Sequence, residues 1–194
     1  ELQKIDFLTN SNIKIDAQEL DDELQSDTIL TIQTINKIQE EFGEATCQRY
    51  IISQCSSALN VMEVLTLFKM SGWDADHITV DIVPLFETID DLINAPLIMK
   101  QLYELDVYKK HLAQRNNKQT IMVGFSDGTK DGGYLMANWM IYKAKEELSR
   151  LSKKYEIDVL FFDGRGGPPA RGGGKTNKFY ASLGPTIENN EIQI

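Results

Sequence analysis

From Phe161 the chain reads Phe161-Phe162-Asp163-Gly164-Arg165-Gly166-Gly167-Pro168-Pro169-Ala170-Arg171-Gly172-Gly173-Gly174-Lys175-Thr176. Glycine lets backbone N–H groups come close to a ligand, and arginine offers planar paired donors that match phosphate or carboxylate. No acidic residue occurs from Gly164 to Lys178, although the formal net charge of the whole chain is −9. A basic, glycine-rich island in an acidic protein reads as a site for a small anion. The same composition also describes a flexible linker. Two specific phosphate-binding frames fail at one residue. Both the P-loop spacing that ends at Lys175 and the dinucleotide fingerprint that starts at Gly164 need glycine where Pro169 stands.

Two carboxylates offer a second kind of chemistry. Glu87 ends the run Val83-Pro84-Leu85-Phe86-Glu87, and Asp127 ends Gly124-Phe125-Ser126-Asp127. At neighbouring strand ends they are natural oxygen ligands for Mg²⁺ or Mn²⁺, since Mg²⁺ takes one or two carboxylates and leaves its other positions to water and substrate. The plainer reading is that each caps the helix that follows it. That reading suits Asp90 and Asp91 better than Asp127, whose surroundings, Ser126 to Gly133, are polar and glycine-rich enough to read as a loop. Lys130 lies in the same stretch, either as a cation over an anionic substrate or as a solvated partner of Asp131. His77 and His111 read as surface residues, and Trp73 and Trp139 as packing residues. Two histidines support neither a Ser–His–Asp arrangement nor a zinc site.

These residues need a scaffold. Residues 1–45 form a polar lead-in, in which Ser26-Asp27 offers an N-cap and Ile29, Ile32, Ile35 and Ile38 keep helical spacing up to Gly43. Residues 46–163 alternate strand and helix patterns. Strands are expected at 49–53, 79–86, 120–125 and 157–162, with helices at 56–70, 90–103, 106–114 and 133–155. Residues 164–178 are the glycine-rich loop. Alternation of this kind implies parallel strands joined by right-handed crossovers. The strand ends near Ser53, Glu87, Asp127 and Asp163 fall 34, 40 and 36 residues apart by subtraction. The pattern predicts an α/β fold, about four β/α units of a TIM-type (β/α)8 barrel with extra helices, polar residues emerging on the carboxyl face. An open doubly wound sheet shares the local pattern.

Composition narrows the class. With 194 residues, 42% hydrophobic and 25% charged, the chain can bury one ordinary core. Its acidic balance argues against nucleic-acid binding. No apolar run is long enough to suggest a membrane span. Cys47 and Cys55 are expected to be buried free thiols, and the cytoplasm is the expected compartment. The start at Glu1 and the stop after Glu188-Asn-Asn-Glu-Ile-Gln-Ile suggest a piece of something larger. Half a barrel would expose two apolar strand edges, so the piece is expected to self-associate.

Three segments carry a family resemblance. Ile82-Val-Pro-Leu-Phe-Glu-Thr-Ile-Asp-Asp-Leu, Ile121-Met-Val-Gly-Phe-Ser-Asp-Gly-Thr-Lys-Asp-Gly-Gly and Asp163-Gly-Arg-Gly-Gly-Pro-Pro-Ala-Arg-Gly-Gly-Gly resemble three motifs of phosphoenolpyruvate carboxylase in order and spacing. The similarity runs from about Arg49 onward. It implies a lyase that forms oxaloacetate and phosphate from phosphoenolpyruvate and bicarbonate with Mg²⁺ or Mn²⁺, an anaplerotic step of carbon dioxide fixation. By matching position, Glu87 and Asp127 would hold the metal and Lys130 would be the signature lysine. Arg165 would meet the substrate phosphate and Arg171 would meet bicarbonate and carboxyphosphate, with Gly166 and Gly167 lining the substrate. The parent is expected to be a homotetramer. The family's catalytic histidine, further substrate arginines and regulatory site have no counterpart here, so the piece alone is expected to be silent. A phosphate-anion binding module that lacks catalysis is the alternative. The chain departs from the family pattern at Asp163, where His is common, at Ala170, which replaces glycine, and at Phe125, which replaces Tyr.

Overall fold

A computed structural model describes residues 2–10, 13–164, 175–188 and 191–193. Two helices come first, α1 (Leu2–Asn10) and α2 (Glu23–Phe42). Strand β1 (Arg49–Ile52) is followed by α3 (Ala58–Met70), and β2 (Asp81–Phe86) by α4 (Ile89–Glu104) and α5 (Asp106–Gln114). Strand β3 (Lys118–Gly124) leads into α6 (Ser126–Lys154), and β4 (Asp158–Gly164) precedes α7 (Thr176–Ala181). A short strand β5 (Ile192–Gln193), not foreseen in the sequence, completes the sheet.

All four strand pairings are parallel and the order is β1-β2-β3-β4-β5. The sheet is open. It is not a closed barrel, but its uninterrupted order is compatible with an arc of one. A doubly wound sheet would reverse its strand order at a switch point, and none occurs among the described strands. Buried residues follow the strand alternation. Ile82, Phe86, Ile121, Val123, Val159 and Phe161 join one cluster with Val61, Met62, Phe68, Leu92, Met99 and Leu148 of the helices. Val83, Leu85 and Leu160 are buried too but lie outside that cluster, on the other face of the sheet.

Local chemistry explains where the expected boundaries move. Helix α2 begins a turn before Ser26-Asp27, because the Asp22 side chain accepts the Gln25 N–H at 2.9 Å while Ser26 Oγ donates to the Ala17 carbonyl at 2.8 Å. It ends at Gly43, whose φ of 92° suits glycine. The expected loop at 126–133 is the first part of α6, and Gly133 (φ 78°) interrupts the helix just where the sequence pattern placed its start. Trp73 packs as expected, its Nε1–H donating to the Ile32 carbonyl at 3.2 Å. Trp139 does not. It lies exposed on α6, stacked on Tyr142, beside exposed Tyr134, Leu135 and Met136. Both cysteines are free, Cys55 buried and Cys47 partly so. Burial is the main cause that pushes the Cys55 thiol up to about 11, which makes it a weak nucleophile.

His111 also corrects the sequence reading, since it is buried on α5 and its Nδ1 has no partner among the described residues. Burial, and then the nearby Arg115 cation, lower its pKa from 6.5 to about 4. Between those values the unfolded chain binds a proton that the folded chain refuses. Stability is therefore expected to fall as pH drops from 6.5 towards 4, by on the order of 3 kcal/mol at most. Thermal unfolding across that window should show the loss, and His111→Gln should flatten it; an unchanged pH slope in the variant would count against His111. The edge strands β1 and β5 expose Ile51 and Ile192, and α6 exposes the apolar group around Trp139. Light scattering of the isolated chain is expected to show concentration-dependent association, and a monodisperse monomer would contradict this.

Candidate functional site

The carboxyl ends of β2 and β3 are locked together by the turns that follow them. After β2, Thr88 caps α4: its Oγ1 accepts the Asp91 N–H at 3.1 Å, and Asp91 Oδ2 accepts the Thr88 N–H at 3.0 Å and the Glu87 N–H at 3.3 Å. Asp91 is thus the capping residue the sequence suggested, and it also fixes the backbone of Glu87. From the turn after β3, Asp131 Oδ2 accepts the Ile89 N–H at 3.2 Å, which ties the start of α6 to the start of α4.

Glycine permits this approach. A Cβ on Gly124 would lie 3.0 Å from Glu87 Cγ and 3.2 Å from Glu87 Cα, and one on Gly128 would lie 3.1 Å from the Glu87 carbonyl oxygen. The Glu87 side chain therefore crosses the end of β3. Lys130 Nζ donates to Asp127 Oδ1 at 2.7 Å, so its partner is Asp127 and not Asp131. The hydrogen bond to Asp127 and then its charge raise the lysine pKa, and the charge of Glu87 adds to them. Glu87, Asp127 and Lys130 thus share one electrostatic neighbourhood, with Lys130 held as an ammonium.

Asp163 belongs elsewhere. The sequence placed it with Glu87 and Asp127 on the carboxyl-end face. In the structure it is buried against the helices, where Lys145 Nζ donates to both its oxygens at 2.8 Å and Tyr180 OH donates to Oδ2 at 2.7 Å. Lys145 went unnoticed in the sequence. Its signal was a cation on the apolar stripe of α6, in register with Ile141, Ala144 and Leu148. Arg165, Gly166, Gly167 and Arg171 lie outside the described residues. A cavity of about 1030 Å³ among the described residues lies at the opposite end of β4, beside Ile157 and Asp158. Glu146, Glu147, Glu156, Asp158 and Glu188 line it against only two cations, Arg150 and Lys153, a net acidic setting that disfavours phosphate.

Glu87, partly buried, and Asp127, nearly half exposed, offer carboxylate oxygens at adjacent strand ends, the donor type that a hard divalent cation takes. No cluster of three or more His, Cys, Asp or Glu side chains suited to a metal occurs among the described residues. Nor is any helix among them long and apolar enough to cross a membrane.

The family model described as phosphoenolpyruvate carboxylase matches residues 1–194, so the likeness extends over the lead-in as well as the region after Arg49. Curated proteins named phosphoenolpyruvate carboxylase are similar to it. The one from Nitrosomonas europaea is 40% identical over 162 residues, 81% of this chain and 17% of its own length. That of Gloeobacter violaceus is 38% identical over 76% of this chain and 16% of its own, and that of a Synechococcus strain 42% identical over 75% and 14%. The chain therefore spans about a sixth of the length of these relatives.

Substituting Gly124→Ala is expected to destabilise the chain by about 1–3 kcal/mol, because the new methyl meets Glu87 backbone and side chain in a packed strand end. Urea unfolding measures this, and an unchanged midpoint would mean that the two strand ends have slack.

Proposed function

The chain belongs to the phosphoenolpyruvate carboxylase family, and on that premise we propose that it supplies part of the active site of an enzyme that carboxylates phosphoenolpyruvate with bicarbonate to give oxaloacetate and phosphate. One observation carries the proposal: Glu87 and the Asp127–Lys130 pair meet at adjacent strand ends, each inside a stretch that resembles a family motif. In the full-length enzyme the sheet would continue into a closed (β/α)8 barrel, which would cover both of its edges. The whole protein would work as a cytoplasmic homotetramer. The isolated chain would be inactive, because it holds only part of the machinery.

Glu87 and Asp127 would hold Mg²⁺ or Mn²⁺, and the ion would stabilise negative charge as it develops on the substrate's enolate oxygen. Lys130 would turn from Asp127 towards the anionic substrate, keeping its proton because neighbouring carboxylates favour the ammonium form. Arg165 and Arg171 would hold the phosphate in transit and bicarbonate, while Gly166 and Gly167 bring backbone donors close. Attack of a bicarbonate oxygen on phosphorus breaks the bond to the enol oxygen, giving carboxyphosphate and the pyruvate enolate. Carboxyphosphate then releases CO₂ and phosphate, and the enolate carbon adds to CO₂. Water must stay out of the cleft while the enolate persists, since protonation would yield pyruvate.

The test is bicarbonate-dependent oxaloacetate formation by the full-length protein, in wild type, Asp127→Ala and Arg171→Ala. Activity should fall by roughly 100-fold or more in each variant, the size expected when one transition-state charge contact is removed. A folded wild type that binds phosphoenolpyruvate but makes no oxaloacetate would replace this reading with that of an anion-binding module.

A further inference from the structure

The carboxylate of Asp163 and the ammonium of Lys145 are both almost completely buried, with side-chain exposures of 0% and 1%. Tyr180, also buried, donates to the same carboxylate. Lys145 Nζ also lies 5.4 Å from the ring centre of Phe161 and 5.9 Å from that of Tyr180, so aromatic faces border the cation. The three residues come from three elements. Asp163 is the penultimate residue of β4, Lys145 sits in α6, and Tyr180 sits in α7. A buried ion pair is a costly way to gain stability, because desolvation consumes much of its attraction and an apolar trio of equal volume would serve as well. Directional bonds offer something apolar packing does not: one angle and one register between the joined elements. At Asp163, where the resembling motif commonly has His, this chain buries an acid, and a buried carboxylate calls for a buried cation.

We propose that Lys145, Asp163 and Tyr180 are positioning residues, a buried clamp that sets the end of β4 against α7 and so fixes the two described flanks of the basic glycine-rich stretch relative to Glu87 and Lys130. The proposal rests on the reaction assigned above. Helix α6 links the two regions, since it carries Asp127 and Lys130 at its start and Lys145 fifteen residues beyond Lys130. The clamp and the carboxylates lie on opposite faces of the sheet: Asp163 pairs with Val123 on the helix side, whereas Glu87 lies where a Cβ on Gly124 would stand, so loss of one hydroxyl on the helix side is expected to leave the carboxylates in place.

The decisive variant in the full-length enzyme is Tyr180→Phe, which removes one hydroxyl and keeps the ring. It should raise KM for phosphoenolpyruvate about tenfold, the effect of losing one hydrogen bond to a charged group. It should also raise the share of pyruvate among the products, while the Mn²⁺ affinity read by electron paramagnetic resonance stays at the wild-type value. Lys145→Gln combined with Asp163→Asn keeps hydrogen-bonding atoms in place without charge and should restore part of the activity lost in Lys145→Gln alone. A merely structural role predicts fewer folded molecules with unchanged KM and product ratio, and that result in Tyr180→Phe overturns the proposal. Mn²⁺ affinity falling in step with KM overturns it as well. A wild type that forms no oxaloacetate defeats the assigned reaction instead. Hydrogen exchange then judges the clamp: Tyr180→Phe should speed exchange across Thr176–Ala181 and not in α4, and equal rates would remove the clamp too.

Discussion

Parallel strands cannot be joined by a tight turn, so each must be followed by a segment that carries the chain back to the starting edge. Every strand from β1 to β4 obeys this by leading into at least one helix before the next strand begins. Right-handed crossovers taken in unbroken order put the helices on one face and align all the strand ends. That alignment is why residues as far apart in sequence as Glu87 and Asp127 become neighbours. The opposite edge does different work. There Arg115 bonds Asp81 at 2.6 Å and Glu44 at 2.5 Å, joining the start of β2 to the turn before β3 and to the segment before β1. Charges at that end hold elements together, as expected of the stability face of such a fold.

At the carboxyl edge the governing quantity is distance. The turn after β3 comes so close to the turn after β2 that Gly124 and Gly128 have little room for a side chain. The gain is that Asp91 and Asp131 can each hold backbone N–H groups of the β2–α4 turn, leaving Glu87 with a fixed backbone. Functional carboxylates on a loop would sample many positions. Here Asp91 and Asp131 fix the backbone that carries the Glu87 carboxylate, the kind of preorganisation that electrostatic stabilisation draws on.

Charge burial sets the second level of organisation. Lys130 and Asp127 stay at the surface, where solvent screens their attraction and the pair can open for a substrate at modest cost. Lys145 and Asp163 are sealed from water, so separating them would strand a charge in the core. One pair suits exchange of partners and the other suits permanence.

Much of this was legible in the residues. Apolar periodicity located the four main strands and the helices between them, because the 2 and 3.6 residue repeats follow from backbone geometry alone. The carboxylates at 87 and 127 and the lysine at 130 stood out because acids and glycines interrupt apolar runs there. Family membership was legible in three motifs. Tertiary structure decided what depends on through-space proximity. It made residues 126–132 helical, since packing against β2 and α4 outweighs the low helix propensity of Gly128 and Gly132. It turned Asp163 away from the carboxyl-end face and into the helix layer, and it buried His111. It also gave Lys145 its partner eighteen residues away, because a cation on an apolar stripe tells that a charge is buried, and only the fold tells with what.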